Sequence, residues 1–257
     1  MAFGLLLLFV FVQVVAVALL QGVGLDVSVD GALTVRDALV LVLVQLAGIA
    51  VVAGIAIGGV GTTWKRLGVA GYGGEGFDRG WKLLMPAGLL VVGPTVAYAL
   101  FSSDDVVQSG LGVPAVASFA LLALAIAVNE ELWFRGLIVD QLQLARRPWL
   151  TVFAASLLFG LPHVGATSAS WLNAAGVTLA VAIPFTVVRL VVGSLWAMIA
   201  WHAIIDTWAF IHTSTVVPEG SPDVAEAIGT LVLPAVLALG YLAWFARGDR
   251  ARRSLRP

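Results

Sequence analysis

The chain has 257 residues, of which 60% are hydrophobic and 11% are charged, and its formal net charge is −1. A soluble domain of this length could not bury so much apolar surface, whereas each bilayer-spanning helix needs about 20 apolar residues. The absence of cysteine excludes disulfides and thiolate chemistry, and no basic stripe indicates a nucleic-acid partner.

Eight apolar segments follow one another along the chain, each of a length that suits a membrane-spanning helix. They lie at about residues 2–21, 38–60, 83–101, 111–130, 149–168, 172–188, 190–212 and 226–246. No positive residue precedes the first segment and its apolar run is long, so we interpret it as a span and not as a secretory signal. The sequence therefore predicts an all-α polytopic membrane protein with about eight transmembrane helices, built as one membrane domain over residues 1–257.

Charged residues between the predicted spans alternate in sign. The loops after spans two, four and six and the C-terminal tail are basic, whereas the other loops are mainly acidic, with Arg36 as the exception. Since Lys and Arg are enriched in cytoplasmic loops, we expect both termini to be cytoplasmic and the protein to lie in the cell membrane. The glycine-rich stretch 62–81 is interpreted as an interfacial connection. The basic residues are Lys65, Arg66, Arg79, Lys82, Arg146, Arg147, Arg189, Arg247, Arg250, Arg252, Arg253 and Arg256.

Few acidic, basic or histidine residues lie well inside the predicted spans, and they fall in three of them. A charge at membrane depth costs about 2.5 to 3.5 kcal/mol on insertion scales, so such residues are rare unless they face a wet cavity and perform chemistry. At a rise of about 1.5 Å per residue, they reach similar depths. We therefore expect them to converge on an intramembrane active-site cavity. They are Glu130, Glu131 and Arg135 in span four and its continuation, His163 in span five, and His202 and Asp206 in span seven.

Residue spacing assigns different roles to the two adjacent glutamates. Glu131 and Arg135 stand four residues apart on one helix face, where they can form an ion pair. Glu130 points about 100° away from Glu131 and cannot share that partner in the same way. We therefore interpret Glu131 and Arg135 as a structural pair, and Glu130 as the carboxylate that faces the cavity.

Two neighbouring residues affect the helices themselves. Asn129 is interpreted as a hydrogen-bonding group to an adjacent helix. Pro162, directly before His163, should kink span five and release a backbone carbonyl, which is tolerated where a helix lines a protein cavity.

Three motifs occur in order, each in its own span. The first six residues of Glu130–Gly136 read EExxxR, Phe159–His163 reads FxxxH, and His202–Asp206 reads HxxxD where the pattern usually has HxxxN. Together they resemble the CPBP family of intramembrane proteases, which includes the type II CAAX prenyl endopeptidases and the bacteriocin-immunity Abi proteins. The motif-bearing core of this resemblance covers about residues 111–215.

The resemblance implies an intramembrane endopeptidase that acts on a membrane-associated peptide or protein within the lipid bilayer. Glu130 would act as general base on a water that His163 orients, and His202, with Asp206 behind it, would stabilise the oxyanion. No cofactor is needed for this chemistry, and the CAAX branch of the family cleaves after a prenylated cysteine. The expected catalytic residues are Glu130, His163, His202 and Asp206, with Glu131 and Arg135 in support.

Other enzymatic mechanisms use the same or nearby residues. His163, His202 and Glu130 could instead hold a zinc ion whose bound water is the nucleophile. A serine mechanism is weaker, because no serine is next to either intramembrane histidine in sequence, although Ser170 and Ser194 could approach in space.

Non-enzymatic alternatives are a proton-coupled transporter and a binding-only immunity or scaffold protein. A transporter of this kind is typically built from related halves. The ionisable residues of this chain crowd into spans four, five and seven, with no matching set in the first three. This distribution favours hydrolysis over transport.

Overall fold

The computed structural model describes residues 2–25, 33–70, 74–101, 111–143, 148–164, 170–213 and 224–254, and within these ranges it contains helices and no strand. Among the described residues, five helices are long and apolar enough to cross a bilayer. The chain is therefore an all-α, multi-pass integral membrane protein, as predicted. The five helices are Ala2–Gly22, Val35–Gly59, Val113–Gln143, Ala174–Val192 and Leu231–Gly248.

The α-helices fall on all eight predicted segments. They are α1 Ala2–Gly22, α2 Val35–Gly54, α3 Trp64–Leu67, α4 Gly74–Phe101, α5 Val113–Glu131, α6 Val139–Gln143, α7 Pro148–Gly160, α8 Ser170–Val177, α9 Ile183–Val192, α10 Trp196–Thr213 and α11 Val224–Ser254. Shorter turns of other helix types continue four of them. The π-helical turns are Ile55–Gly59 after α2, Leu132–Ile138 between α5 and α6, and Thr178–Ala182 between α8 and α9, and the 3₁₀ turn is Leu161–His163 after α7.

Helix α4 begins earlier than the sequence indicated. It starts at Gly74 and not near residue 83, so the second half of the predicted 62–81 connection is helical. In this first part of α4, Lys82 pairs with Asp78 one turn earlier, with 2.7 Å between Nζ and Oδ2. Such i,i+4 pairs support a helix even where its surface is polar, which explains why the apolar pattern alone placed the start too late.

Helix α5 lies at the centre of the packing. Helices α10 and α2 pack along it, and α1 packs on α2. Asn129 of α5 donates through Nδ2 to Gln45 Oε1 of α2 at 2.6 Å, and Gln45 Nε2 donates to Gln13 Oε1 of α1 at 3.4 Å. The predicted interhelical role of Asn129 is thus confirmed. Gly48 makes this contact close, as membrane helix interfaces with small residues commonly are.

Arg189 was predicted to lie in a basic loop, and that placement is wrong. It lies in the last turn of α9 with 4% of its surface exposed. Its guanidinium donates to three carbonyl oxygens, those of Arg135 at 3.1 Å, Gly193 at 2.5 Å and Arg66 at 2.6 Å. Arginine has five N–H donors in a rigid fork, which suits it to joining several backbone segments. The residue fastens the α2–α4 connection and α9 to the turn that carries Arg135.

The contact between α2 and α5 provides a test of this packing. A Cβ added at Gly48 would lie 2.6 Å from Asn129 Oδ1, whereas one at Gly54 of the same helix would have no neighbour within 4 Å. Gly48→Ala should therefore destabilise the protein by about 1 to 3 kcal/mol through overpacking. Gly54→Ala is the matched control and should be neutral or slightly stabilising, because alanine favours helix over glycine. Thermal unfolding in mild detergent measures both, and equal melting temperatures for the two variants would contradict the packing described.

Candidate active site

The first two motif residues lie where α5 changes its helical type. Helix α5 ends at Glu131 and continues directly into the π-helical turn Leu132–Ile138, which carries Arg135. The sequence predicted a plain α-helical continuation and gave no sign of the π turn. Turns of this type are rare and occur often at functional sites, because the inserted residue rotates the side chains that follow it.

The predicted ion pair of span four is present and fully buried. Arg135 Nη1 lies 2.9 Å from Glu131 Oε1, and neither side chain has any exposed surface. The guanidinium carbon of Arg135 lies 3.9 Å from the centre of the Phe159 ring and 5.5 Å from that of Phe185. Aromatic faces attract a cation, most strongly where water is excluded. The positive charge is therefore held by one carboxylate and two rings.

Glu131 also binds His202, which the sequence analysis did not anticipate. His202 Nδ1 lies 2.9 Å from Glu131 Oε1, the same oxygen that binds Arg135. An ionised carboxylate only accepts hydrogen bonds, so Nδ1 is the donor. Asp206 had been predicted to stand behind His202, but its Oδ2 lies 3.4 Å from Nε2, on the opposite side of the ring. Glu131 is thus the residue that orients His202.

Two carboxylates lie near Nε2 of His202 and are reachable from outside. Glu130 Oε2 is 3.8 Å from this nitrogen, and Asp206 Oδ2 is 3.4 Å from it. Their side chains are 19% and 22% exposed, whereas that of Glu131 is completely buried. The two ring nitrogens of His202 therefore differ. Nδ1 is held by the buried Glu131, whereas Nε2 faces the partly exposed Glu130 and Asp206.

Aromatic rings connect the two intramembrane histidines. The Phe159 ring centre lies 5.1 Å from that of His163 and 5.9 Å from that of His202. Phe185 contacts the other flank of His202, with ring centres 6.3 Å apart. Phe185 lies outside the three motifs, and only its apolar character and its place in span six marked it as a core residue.

His163 follows a change of helix type and not a simple kink. Helix α7 ends at Gly160, and the 3₁₀ turn Leu161–His163 contains Pro162. His163 Nδ1 lies 3.0 Å from the carbonyl oxygen of Phe159. Because a carbonyl only accepts, Nδ1 must donate, and the Nε2 of a neutral His163 keeps its lone pair. That nitrogen is suited to accept a hydrogen bond from a water.

The structure also places residues of the zinc and serine alternatives. In the described part of the chain, no three His, Cys, Asp or Glu side chains are grouped as metal ligands. The hydroxyl oxygen of Ser194 accepts a hydrogen bond from the backbone N–H of Trp196 at 3.3 Å, at the start of α10. His202 lies about two helical turns further along that helix. The side chain of Ser170 falls outside the described residues.

A comparison with protein families agrees with the motifs. Residues 112–208 match the family described as type II CAAX prenyl endopeptidase Rce1-like. The matched range contains the whole sequence from Glu130 to Asp206, and it lies within the core predicted at about 111–215. No curated protein and no solved structure matches the chain.

Loss of the buried ion pair should lower stability as well as any activity. Arg135→Ala removes the guanidinium that pairs with the fully buried Glu131, and breaking a buried ion pair in this way typically costs about 3 to 5 kcal/mol. Lys82→Ala is the matched control, because Lys82 has the same i,i+4 spacing to Asp78 but 68% of its side chain is exposed. Solvent screening should make that loss small. Thermal unfolding and protein yield measure both changes. If Arg135→Ala accumulates normally and unfolds at the parental temperature, Arg135 has no structural role.

Proposed function

We propose that residues 112–208 belong to the Rce1-like family of type II CAAX prenyl endopeptidases, which their match to the family supports. On this premise, the protein is an intramembrane endopeptidase with a glutamate-activated water. The observation that carries the proposal is the difference between the two adjacent glutamates. Glu131 is fully buried and binds both Arg135 and His202, whereas Glu130 is partly exposed beside Nε2 of His202. Of the two glutamates, Glu130 is therefore the one that is free to take a proton from a water that also meets the substrate.

His202 stabilises the negative charge that develops on the substrate carbonyl oxygen. Its Nδ1 is engaged by Glu131, so the opposite nitrogen, Nε2, is the one presented to the accessible side of the site. The carboxylates of Glu130, Glu131 and Asp206 all lie within 4 Å of the ring nitrogens and favour the charged imidazolium. A charged donor held in place before the reaction stabilises an oxyanion more than a mobile one does.

His163 orients the attacking water. The bond from its Nδ1 to the Phe159 carbonyl fixes the ring and leaves Nε2 as an acceptor. Phe159 contacts both histidines, so the FxxxH motif joins the water-binding group to the oxyanion-stabilising group through one side chain.

The substrate proposed is a membrane-associated peptide or protein, and more specifically one with a prenylated CAAX-type C terminus, as the family match supports. Hydrolysis would then release a C-terminal tripeptide. The basic loops favour an orientation with both termini on the cytoplasmic side, which is also the side on which prenylated C termini occur.

Replacement of Glu130 tests the general-base role. Glu130→Gln keeps the size of the side chain but cannot take a proton, so release of the tripeptide from a farnesylated CAAX-type peptide should fall by about 10²- to 10⁴-fold. Folding should be retained, because the contact between Glu130 and His202 Nε2 is long, at 3.8 Å, and the Glu130 side chain is partly exposed. Glu75→Gln, at an exposed position of α4, is the control for loss of a carboxylate. Mass spectrometry of the released tripeptide is the measurement, and turnover near the wild-type level in Glu130→Gln would refute the assignment.

Metal dependence separates the glutamate mechanism from the zinc mechanism. If Glu130 activates the water, purified protein should contain zinc well below one ion per chain, and exhaustive chelation should leave tripeptide release largely unchanged. If His163 and His202 bind a catalytic zinc, the ion should copurify at about one per chain and be required for turnover. Elemental analysis of the wild type and of His163→Ala decides between them. A stoichiometric metal that is lost together with activity in His163→Ala would overturn the proposal.

A further inference from the structure

Two accessible carboxylates approach one nitrogen of His202 from different helices. Glu130 Oε2 of α5 lies 3.8 Å from Nε2, and Asp206 Oδ2 of α10 lies 3.4 Å from it. Because both distances end on the same atom, the two oxygens cannot be further apart than the sum of 3.8 and 3.4 Å. Two carboxyl groups within this limit can span an attacking water and the nitrogen of the bond that the water cleaves. Their similar partial exposure distinguishes them from the fully buried Glu131.

The charges around His202 leave room for one additional proton. Among the described residues, Glu130, Glu131 and Asp206 face His202, and Arg135 binds Glu131. When both cations are charged, three carboxylates oppose two positive groups, and one proton on an accessible carboxyl makes the cluster neutral. An uncompensated charge is expensive at membrane depth, and two close carboxylates do not readily ionise together. The titratable groups that interact electrostatically with Asp206 are His202, Glu130, His163 and Glu131.

We propose that Asp206 is this chain's proton donor to the leaving nitrogen, acting as the acid of a carboxyl pair whose base is Glu130. The inference rests on the proposed endopeptidase function and adds a separate role to it. Asp206 occupies the position where the HxxxN pattern has asparagine. An asparagine amide can donate a hydrogen bond, but it cannot transfer a proton in this way. The aspartate therefore gives the site a chemical step that an asparagine would not supply.

The proton transfers balance over one turnover. Glu130 removes a proton from water as the water oxygen bonds to the scissile carbonyl carbon and the π electrons move to the carbonyl oxygen. As the tetrahedral intermediate collapses, the C–N bond breaks and the nitrogen takes the proton of Asp206. The products are a carboxylic acid and an amine, with Glu130 protonated and Asp206 ionised. Transfer of the proton from Glu130 to Asp206 restores the starting state.

A matched pair of substrates tests this role of Asp206. One is a farnesylated CAAX-type peptide, and the other has an ester in place of the scissile amide. An amine leaves only after its nitrogen is protonated, whereas an alkoxide leaves much more readily without help. Asp206→Asn should therefore lower kcat on the amide by about 10²- to 10⁴-fold and kcat on the ester by at least tenfold less. Both substrates are measured on the same preparation, so a loss of folded protein does not change the ratio.

The outcomes separate this inference from the proposed function. Glu130→Gln should lose hydrolysis of both substrates by similar factors, because attack by water precedes loss of either leaving group. If Asp206→Asn lowers both substrates equally, Asp206 is not the donor, although the Glu130 result would still support the endopeptidase. If Glu130→Gln leaves both rates intact, Glu130 is not the base and the glutamate mechanism fails, and if the wild type hydrolyses neither substrate, the proposed function itself fails.

Wild-type protein gives a second measurement that needs no variant. Deprotonation of Asp206 should make kcat for the amide fall at higher pH, and the fall should be weaker or shifted for the ester. Deprotonation of His202 would affect both substrates alike, because both pass through an oxyanion. Superimposable pH profiles for amide and ester would therefore refute the role of Asp206.

Discussion

One oxygen atom of Glu131 holds the candidate site together. Glu131 Oε1 accepts from Arg135 Nη1 and from His202 Nδ1, each at 2.9 Å, without any exposed surface on the carboxylate. Hydrogen bonds to a charged acceptor are roughly twice as strong as neutral ones, and they are stronger still where water is absent. Since Arg135 lies in the turn that follows α5 and His202 lies on α10, this one atom links the two elements at the site.

The surroundings of this contact make its charges tolerable. Phe159 and Phe185 each contact both Arg135 and His202, so the same two rings shield the cation and confine the imidazole. On the backbone side, Arg189 Nε donates to the carbonyl oxygen of Arg135 at 3.1 Å. A π-helical turn alters the regular bonding of its carbonyls, and a nearby guanidinium can satisfy one of them. Arg189 thereby ties the turn that carries Arg135 to the end of α9.

Local spacing predicted much of this arrangement, and contacts between helices were the part it missed. Apolar run length identified the spans, and the four-residue interval identified the Glu131–Arg135 pair, because both properties depend on one helix alone. The bond between Glu131 and His202 joins residues 71 positions apart, and it depends on the rotation of two helices about their axes. The spacing of residues within one motif gives no information about that rotation. Asp206 was for this reason placed on the wrong side of the His202 ring.

The rotation of α5 about its axis places the two adjacent glutamates in different surroundings. Adjacent residues on a helix point about 100° apart, so when Glu131 faces the core between α5 and α10, Glu130 must face a different region. Two chemically identical side chains then have different environments, one fully buried and bound to Arg135 and His202, the other 19% exposed beside His202 Nε2. Acid–base sites commonly assign separate roles to like groups through such a difference in surroundings. In the proposed mechanism, Glu130 changes its protonation during the reaction while Glu131, held between Arg135 and His202, keeps the framework fixed.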